Sequence, residues 1–237
     1  MPQPLSAVVP NARPDFGPSA IMERPELAAN AFHAIAVWSG VDGTLGKLLV
    51  TLLKADYRAV LEIYESLTSW GPKRQAVTAA AKHSLADDEF AVLLAILDRF
   101  KSTRNRRNSL AHDIWGCAPE LPDAILCVEA KHTQREWSDM RVAIETPGVT
   151  SAEWRFLSHD LIDVWKLPDI EQLIQETAQV GEMINLLQLA VASEPGLRGK
   201  VLDWLRSQLG IEPAPQTQPL PQNPSPRPQS PQATPSG

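Results

Sequence analysis

Cysteine is nearly missing from this chain. Cys117 and Cys127 are the two in 237 residues, and they have no CxxC spacing. A disulfide framework is therefore excluded, and small apolar residues in a reducing cytosol are their expected role. No stretch reads as long and apolar enough to span a bilayer. The N-terminus lacks the basic-then-apolar pattern of a signal peptide, so a cytoplasmic protein without membrane contact is expected. A surplus of positive charge is also missing. Lys and Arg number 22 against 28 Asp and Glu, for a net charge of -6. That argues against a protein that coats nucleic acid with its whole surface, and leaves room only for a local contact. No GxxxxGK-S/T loop occurs, and SWGPKR does not replace it. His33, His83, His132 and His159 share no metal-ligand spacing with one another or with the cysteines. No metal and no cofactor are expected. Ser109 lacks the strand–turn–helix context of a nucleophile elbow, which makes a serine hydrolase a poor candidate. No internal repeat is evident.

What is abundant is proline, at 21 residues, and most of it lies near the two ends. The C-terminal EPAPQTQPLPQNPSPRPQSPQATPSG has no aliphatic stripe and reads as a disordered, partly polyproline tail over 211–237. The opening MPQPLSAVVPNARPDFGPSA is similar, so residues 1–22 are expected to be disordered too. Between them, residues 23–210 read as one domain. ERPELAANAFHAIAVW carries Leu27, Ala31, Ala34, Ile35 and Trp38 at helical spacing. GVDG then raises a kink, which leaves open one long helix or two, before TLGKLLVTLLKA resumes. Further helices are expected in DYRAVLEIYESLTS and GPKRQAVTAAAKHSL. The longest is in DDEFAVLLAILDRFKSTRNRRNSLAHDIW, capped by Asp87. Asp87, Asp88 and Glu89 read as helix N-terminal charge. GCAPELPD breaks the pattern. AILCVEA and RVAIET suggest a small hairpin, with DLIDVWKL as a possible third strand. DIEQLIQETAQVGEMINLLQLAVAS and GLRGKVLDWLRSQLG complete the helices. The fold class expected is all-α: an antiparallel helical bundle with a small β-hairpin inserted between its last long helices.

Within the longest helix, RNRRNSLAHDIWG concentrates charge. On a wheel of about 100° per residue, Leu93, Ile96, Leu97, Ala111 and Ile114 fall within about 60° of Phe100. Arg107 falls about 20° from Phe100 and Arg104 about 40°, in the middle of the apolar stripe, while Arg106 lies on the far side, free to face water. Asn108 and His112 share a flank of the stripe one turn apart. A guanidinium cannot lose its proton, so a buried one needs anionic or several polar partners. One explanation is a helix end that leaves the core, with Arg104 and Arg107 extended to water or paired with Asp98 or Glu89. The other is a site. Trp38, Trp70, Trp115 and Trp154 read as core or interface anchors.

The run Arg107-Asn108-Ser109-Leu110-Ala111-His112 has the form RNxxxH at the end of the longest helix, and Asp113-Ile114-Trp115-Gly116 follow it. This resembles the signature of the HEPN superfamily (higher eukaryotes and prokaryotes nucleotide-binding). The resemblance extends more loosely over residues 24 to 193. Arg106 also fits the permitted spacing but lacks the small polar neighbour. The resemblance implies a HEPN-like helical domain over 23–210 and, as in many members, a metal-independent endoribonuclease. His112 would move protons, Arg107 would grip phosphate oxygens, and Asn108 would orient the imidazole or donate to the phosphate. Arg104 and Arg106 would add substrate contacts. The products would be a 2′,3′-cyclic phosphate and a 5′-hydroxyl. A homodimer is also implied, with two motifs facing one cleft. So are RNA as partner and a toxin or defence role held in check by an antitoxin or other protein. The alternative is a non-catalytic HEPN-like helical module that binds nucleotide, RNA or a protein partner.

Overall fold

A computed structural model describes residues 1–145 and 157–212. These are mostly helical, with one small antiparallel sheet. In chain order they form β1 (Gln3–Pro4), α1 (Leu5–Val8), β2 (Asp15–Phe16), α2 (Ser19–Glu23), α3 (Pro25–Leu53), α4 (Tyr57–Ser66), α5 (Trp70–Ser84) and α6 (Asp87–His112). There follow β3 (Ile114–Cys117), β4 (Ala124–Val128), α7 (Ala130–Glu145), a 3₁₀ turn (His159–Leu161), β5 (Ile162–Lys166), α8 (Leu167–Ala192) and α9 (Pro195–Leu209). Trp154 and most of the proline-rich tail lie outside the described residues.

α3 is one unbroken helix through Gly40 and Gly43, so the kink raised by GVDG does not occur. Its length also changes an expectation. By length and composition alone α3 is apolar enough to cross a membrane, which the sequence divided at GVDG did not suggest. In this fold α4, α5, α6 and α8 all pack against it. The main core comes from its C-terminal half, where Leu45 and Leu48 meet Leu93, Ile96, Leu97 and Phe100 of α6 and Ile184 and Leu187 of α8, all fully buried. Each such side chain contributes about 2–3 kcal/mol of transfer free energy. α3 and α8 approach closely because Gly181 has no side chain. A Cβ built there would stand 2.9 Å from Val41 Cγ2. Helix ends follow local chemistry. Asp56 caps α4 by accepting from the Ala59 N–H at 2.9 Å, and Gly210 closes α9 in the left-handed region at φ 67°. Asp87 is not the cap of α6. It is the first helical residue, and the Glu89 carboxylate instead accepts from the Ala86 N–H at 3.0 Å.

The β structure is larger than a hairpin. Five strands run in the order β1-β5-β4-β3-β2, each pair antiparallel. The hairpin is β3–β4, and Ile114–Cys117 had been read as helix end and break. RVAIET is not a strand: Arg141–Glu145 continue α7, which has no glycine or proline to stop it. Residues 1–22 are not loose either. They supply both outer strands, and Leu5 is fully buried beneath the sheet. Period-2 alternation sorts β4 between two cores. Ala124, Leu126 and Val128 join Leu5 and Val164 on one face. Ile125 and Cys127 join Ala31 and Ala34 of α3, Leu110 of α6 and Ile170 and Leu173 of α8 on the other. Gly116 is required where β2 crosses β3, because a Cβ there would meet the Asp15 carbonyl oxygen at 2.7 Å. This sheet fixes the C-terminal end of α6, and hence the position of His112.

Candidate functional site

α6 carries Arg104, Arg107, Asn108 and His112 into one cleft of ≈ 270 Å³. α3 supplies Trp38 and Asp42 one turn apart, the segment before α5 supplies Thr68 and Ser69, and α5 itself gives Trp70 and Lys73. The floor is aromatic. Trp38 stacks on the buried Phe100 with ring centroids 5.2 Å apart and planes at 11°, and Trp70 meets the same ring at 4.9 Å. The Arg107 guanidinium lies over the Trp38 ring, 4.6 Å from its centroid.

Three cations and one carboxylate line this cleft, before any charge on His112 is counted. The carboxylate is already engaged. Asp42 accepts from the Tyr64 hydroxyl at 3.1 Å and from Lys73 Nζ at 2.5 Å. Tyr64 is held protonated far above its usual range by burial, with the Asp42 charge adding to it. Arg104 and Arg107 form no ion pair among the described residues, and Arg107 Nη1 donates to Asn108 Oδ1 at 3.2 Å. Asp98 and Glu89, the carboxylates offered by the sequence to neutralise them, belong to Arg74 and Arg198. Burial pulls Arg107 below its ordinary range, the like charge of Arg104 adds to the effect, and Asp42 opposes it. The guanidinium stays protonated all the same.

His112 ends α6 with an exposed ring and is not sealed by Ile114 or Trp115. The Trp115 indole turns back and donates to the Leu110 carbonyl at 3.0 Å. His112 and Asn108 also line a second cleft, of ≈ 660 Å³, whose character is acidic. There burial pushes the Asp113 carboxyl up, and Glu129 adds to this while the Ser109 hydroxyl, donating to Asp113 Oδ2 at 2.5 Å, opposes it. Burial, reinforced by Asp113, raises Asp163 as well. The imidazole thus stands on the rim between a cationic and an acidic hollow.

Of the residues singled out in the sequence, Arg104, Arg107, Asn108 and His112 are brought together. Arg106 is not. It turns away from the cleft toward α8, where it pairs with Glu176, and instead of facing water it is largely covered. Thr103 and Leu110, not Arg104 and Arg107, carry the buried stripe onward at this end of α6. Asp42, Thr68, Ser69 and Lys73 were missed, and Trp38 and Trp70 were read only as anchors. One signal was available. A lysine in the first turn of a helix opposes the macrodipole, so Lys73 needs a compensating partner such as Asp42. In comparisons with known proteins, no family model, no curated protein and no solved structure matches the chain.

Proposed function

We propose that this chain is an endoribonuclease of HEPN type that needs no metal, built on an antiparallel helical bundle and working as a homodimer. The observation that carries the reading is the shared cleft. Arg104 and Arg107, with donors not spent on carboxylates, face the same hollow as Asn108 and His112. RNA brings its own nucleophile. The 2′-hydroxyl attacks the adjacent phosphorus, its proton passes to a base, and the 5′-oxygen leaves with a proton from an acid. The ends formed are a 2′,3′-cyclic phosphate and a 5′-hydroxyl. His112 serves as the base or the acid. Arg107, with Arg104 beside it, stabilises the charge that builds on the phosphoryl oxygens. A second copy of the motif, from the partner chain, supplies the complementary imidazole. On this reading the protein is a cytoplasmic toxin or defence component, restrained by an antitoxin or other partner.

The test is cleavage of RNA in EDTA by wild type, Arg107→Ala and His112→Ala. Wild type is expected to cut, with a rate per chain that rises with protein concentration, and each variant should lose about 100-fold or more. Cleavage indifferent to both substitutions refutes the assignment. RNA or nucleotide binding without any cleavage supports instead a non-catalytic HEPN-like module.

A further inference from the structure

We propose that Trp38 is a positioning residue for Arg107: its indole, backed by Phe100, holds the guanidinium by its face and leaves the hydrogen-bonding edge for an RNA phosphate. The inference rests on the reading of the cleft given above.

An arginine that must grip phosphate faces a conflict. Left loose, it loses side-chain entropy on every binding event. Held by a carboxylate, it is rigid, but the paired donors that fit a phosphate are consumed and the charge is cancelled. A planar cation on an aromatic face escapes both problems. The attraction uses the π face of the ring, while the N–H groups lie in the guanidinium plane and stay available at its edge.

The geometry around Arg107 matches this solution. The guanidinium stands 4.6 Å over the Trp38 centroid. Trp38 is itself fixed by stacking on Phe100, which is fully buried and also meets Trp70. The carboxylate on the same helix as Trp38 does not compete, because both Asp42 oxygens are occupied by Tyr64 and Lys73. The hydrogen bond to Asn108 uses Nη1, and the buried Nε has no partner among the described residues. Lys73 also lies over an aromatic ring, 4.6 Å from the Tyr64 centroid, but it adds an ion pair with Asp42. Of these two cations, Arg107 is the one held on an aromatic face with no ion pair among the described residues, and it belongs to the RNxxxH motif.

The experiment is a double-mutant cycle on binding of a short 2′-O-methyl RNA oligonucleotide, which keeps the phosphates but cannot be cleaved. Wild type, Arg107→Ala, Trp38→Leu, Trp38→Phe and the double variant W38L/R107A are titrated in EDTA over a range of salt. Arg107→Ala is expected to weaken binding about tenfold or more and to flatten the salt dependence by about one phosphate contact. Trp38→Leu should cost about threefold to tenfold and also flatten it, although no charge has been removed. In the double variant the leucine should cost nothing further. Trp38→Phe, which retains a ring, should keep most of the affinity.

A Trp38→Leu effect that persists undiminished without Arg107, or no effect while Arg107→Ala is impaired, overturns the proposal. Binding indifferent to Arg107→Ala overturns the phosphate-site reading itself. Thermal melts confirm that each variant is folded. If Trp38→Leu is not, Trp38→Met, which also lacks a ring, takes its place in the cycle and is judged by the same criteria.

Discussion

Glu89 is almost wholly buried, yet it keeps its charge. Burial by itself pushes its carboxyl up. The Arg198 guanidinium, donating through both Nε and Nη2, and the Ala86 N–H together outweigh that and hold it below the ordinary range. A folded-state pKa below the unfolded value means that the linked stability is complete above about pH 4.3 and is lost as the pH falls through the folded value. Arg198→Ala should therefore destabilise the protein by about 2 kcal/mol at pH 7. The gap to wild type should narrow in urea melts carried out below pH 4. The same contrast between near and far partners explains what could be read in the residues of the cleft. Arg107, Asn108 and His112 lie on one helix, where spacing alone gives direction. Asp42 and Lys73 reach them only after α3 and α5 have packed on α6, and Glu176, the partner of Arg106, is 70 residues away. No periodicity reports such meetings.

At the scale of elements, the contact of α3 with α8 depends on a missing side chain. Gly181→Ala gains helix propensity of about 1 kcal/mol but drives a methyl against the stiff, β-branched Val41. Overpacking of this kind costs about 1–3 kcal/mol. A net loss of about 1 kcal/mol is expected in denaturant melts, and Val41→Ala added to Gly181→Ala should recover it. If the pair proves additive, the close crossing is not what limits this site. The long helices were legible because each repeats its apolar residues every three or four positions over many turns. The short strands were not. β1 and β2 have two residues each and owe their conformation to β5 and β3, which follow far along the chain. Ile114–Cys117 looked like the frayed end of α6 because nothing local separates the two states. Arg141–Glu145 misled in the other direction, as a β-rich composition inside a helix that tertiary and flanking context continued.

For the molecule as a whole, the outer strands of the sheet and the cleft are separable. None of the cleft's lining residues comes from the first eighteen positions, whereas those positions supply both outer strands and Leu5. Removing residues 1–18 should thus lower stability by about 2–4 kcal/mol, seen as an earlier thermal transition. On the proposed reading, RNA cleavage well below that transition should survive. Loss of activity in a truncated chain that is still folded would show that the sheet does more than anchor the end of α6.

The same arrangement imposes an order on assembly. The partner of β1 is β5, Ile162–Lys166, so during synthesis Gln3 and Pro4 stay unpaired until a strand far down the chain has been made. Until Lys166 has emerged, β4 lacks its neighbour on one side and β1 has no strand to join. Residues made early are then docked late, like a clasp fastened after the garment is on. A helper that shields apolar strand rims during translation is the kind of assistance such a chain would profit from.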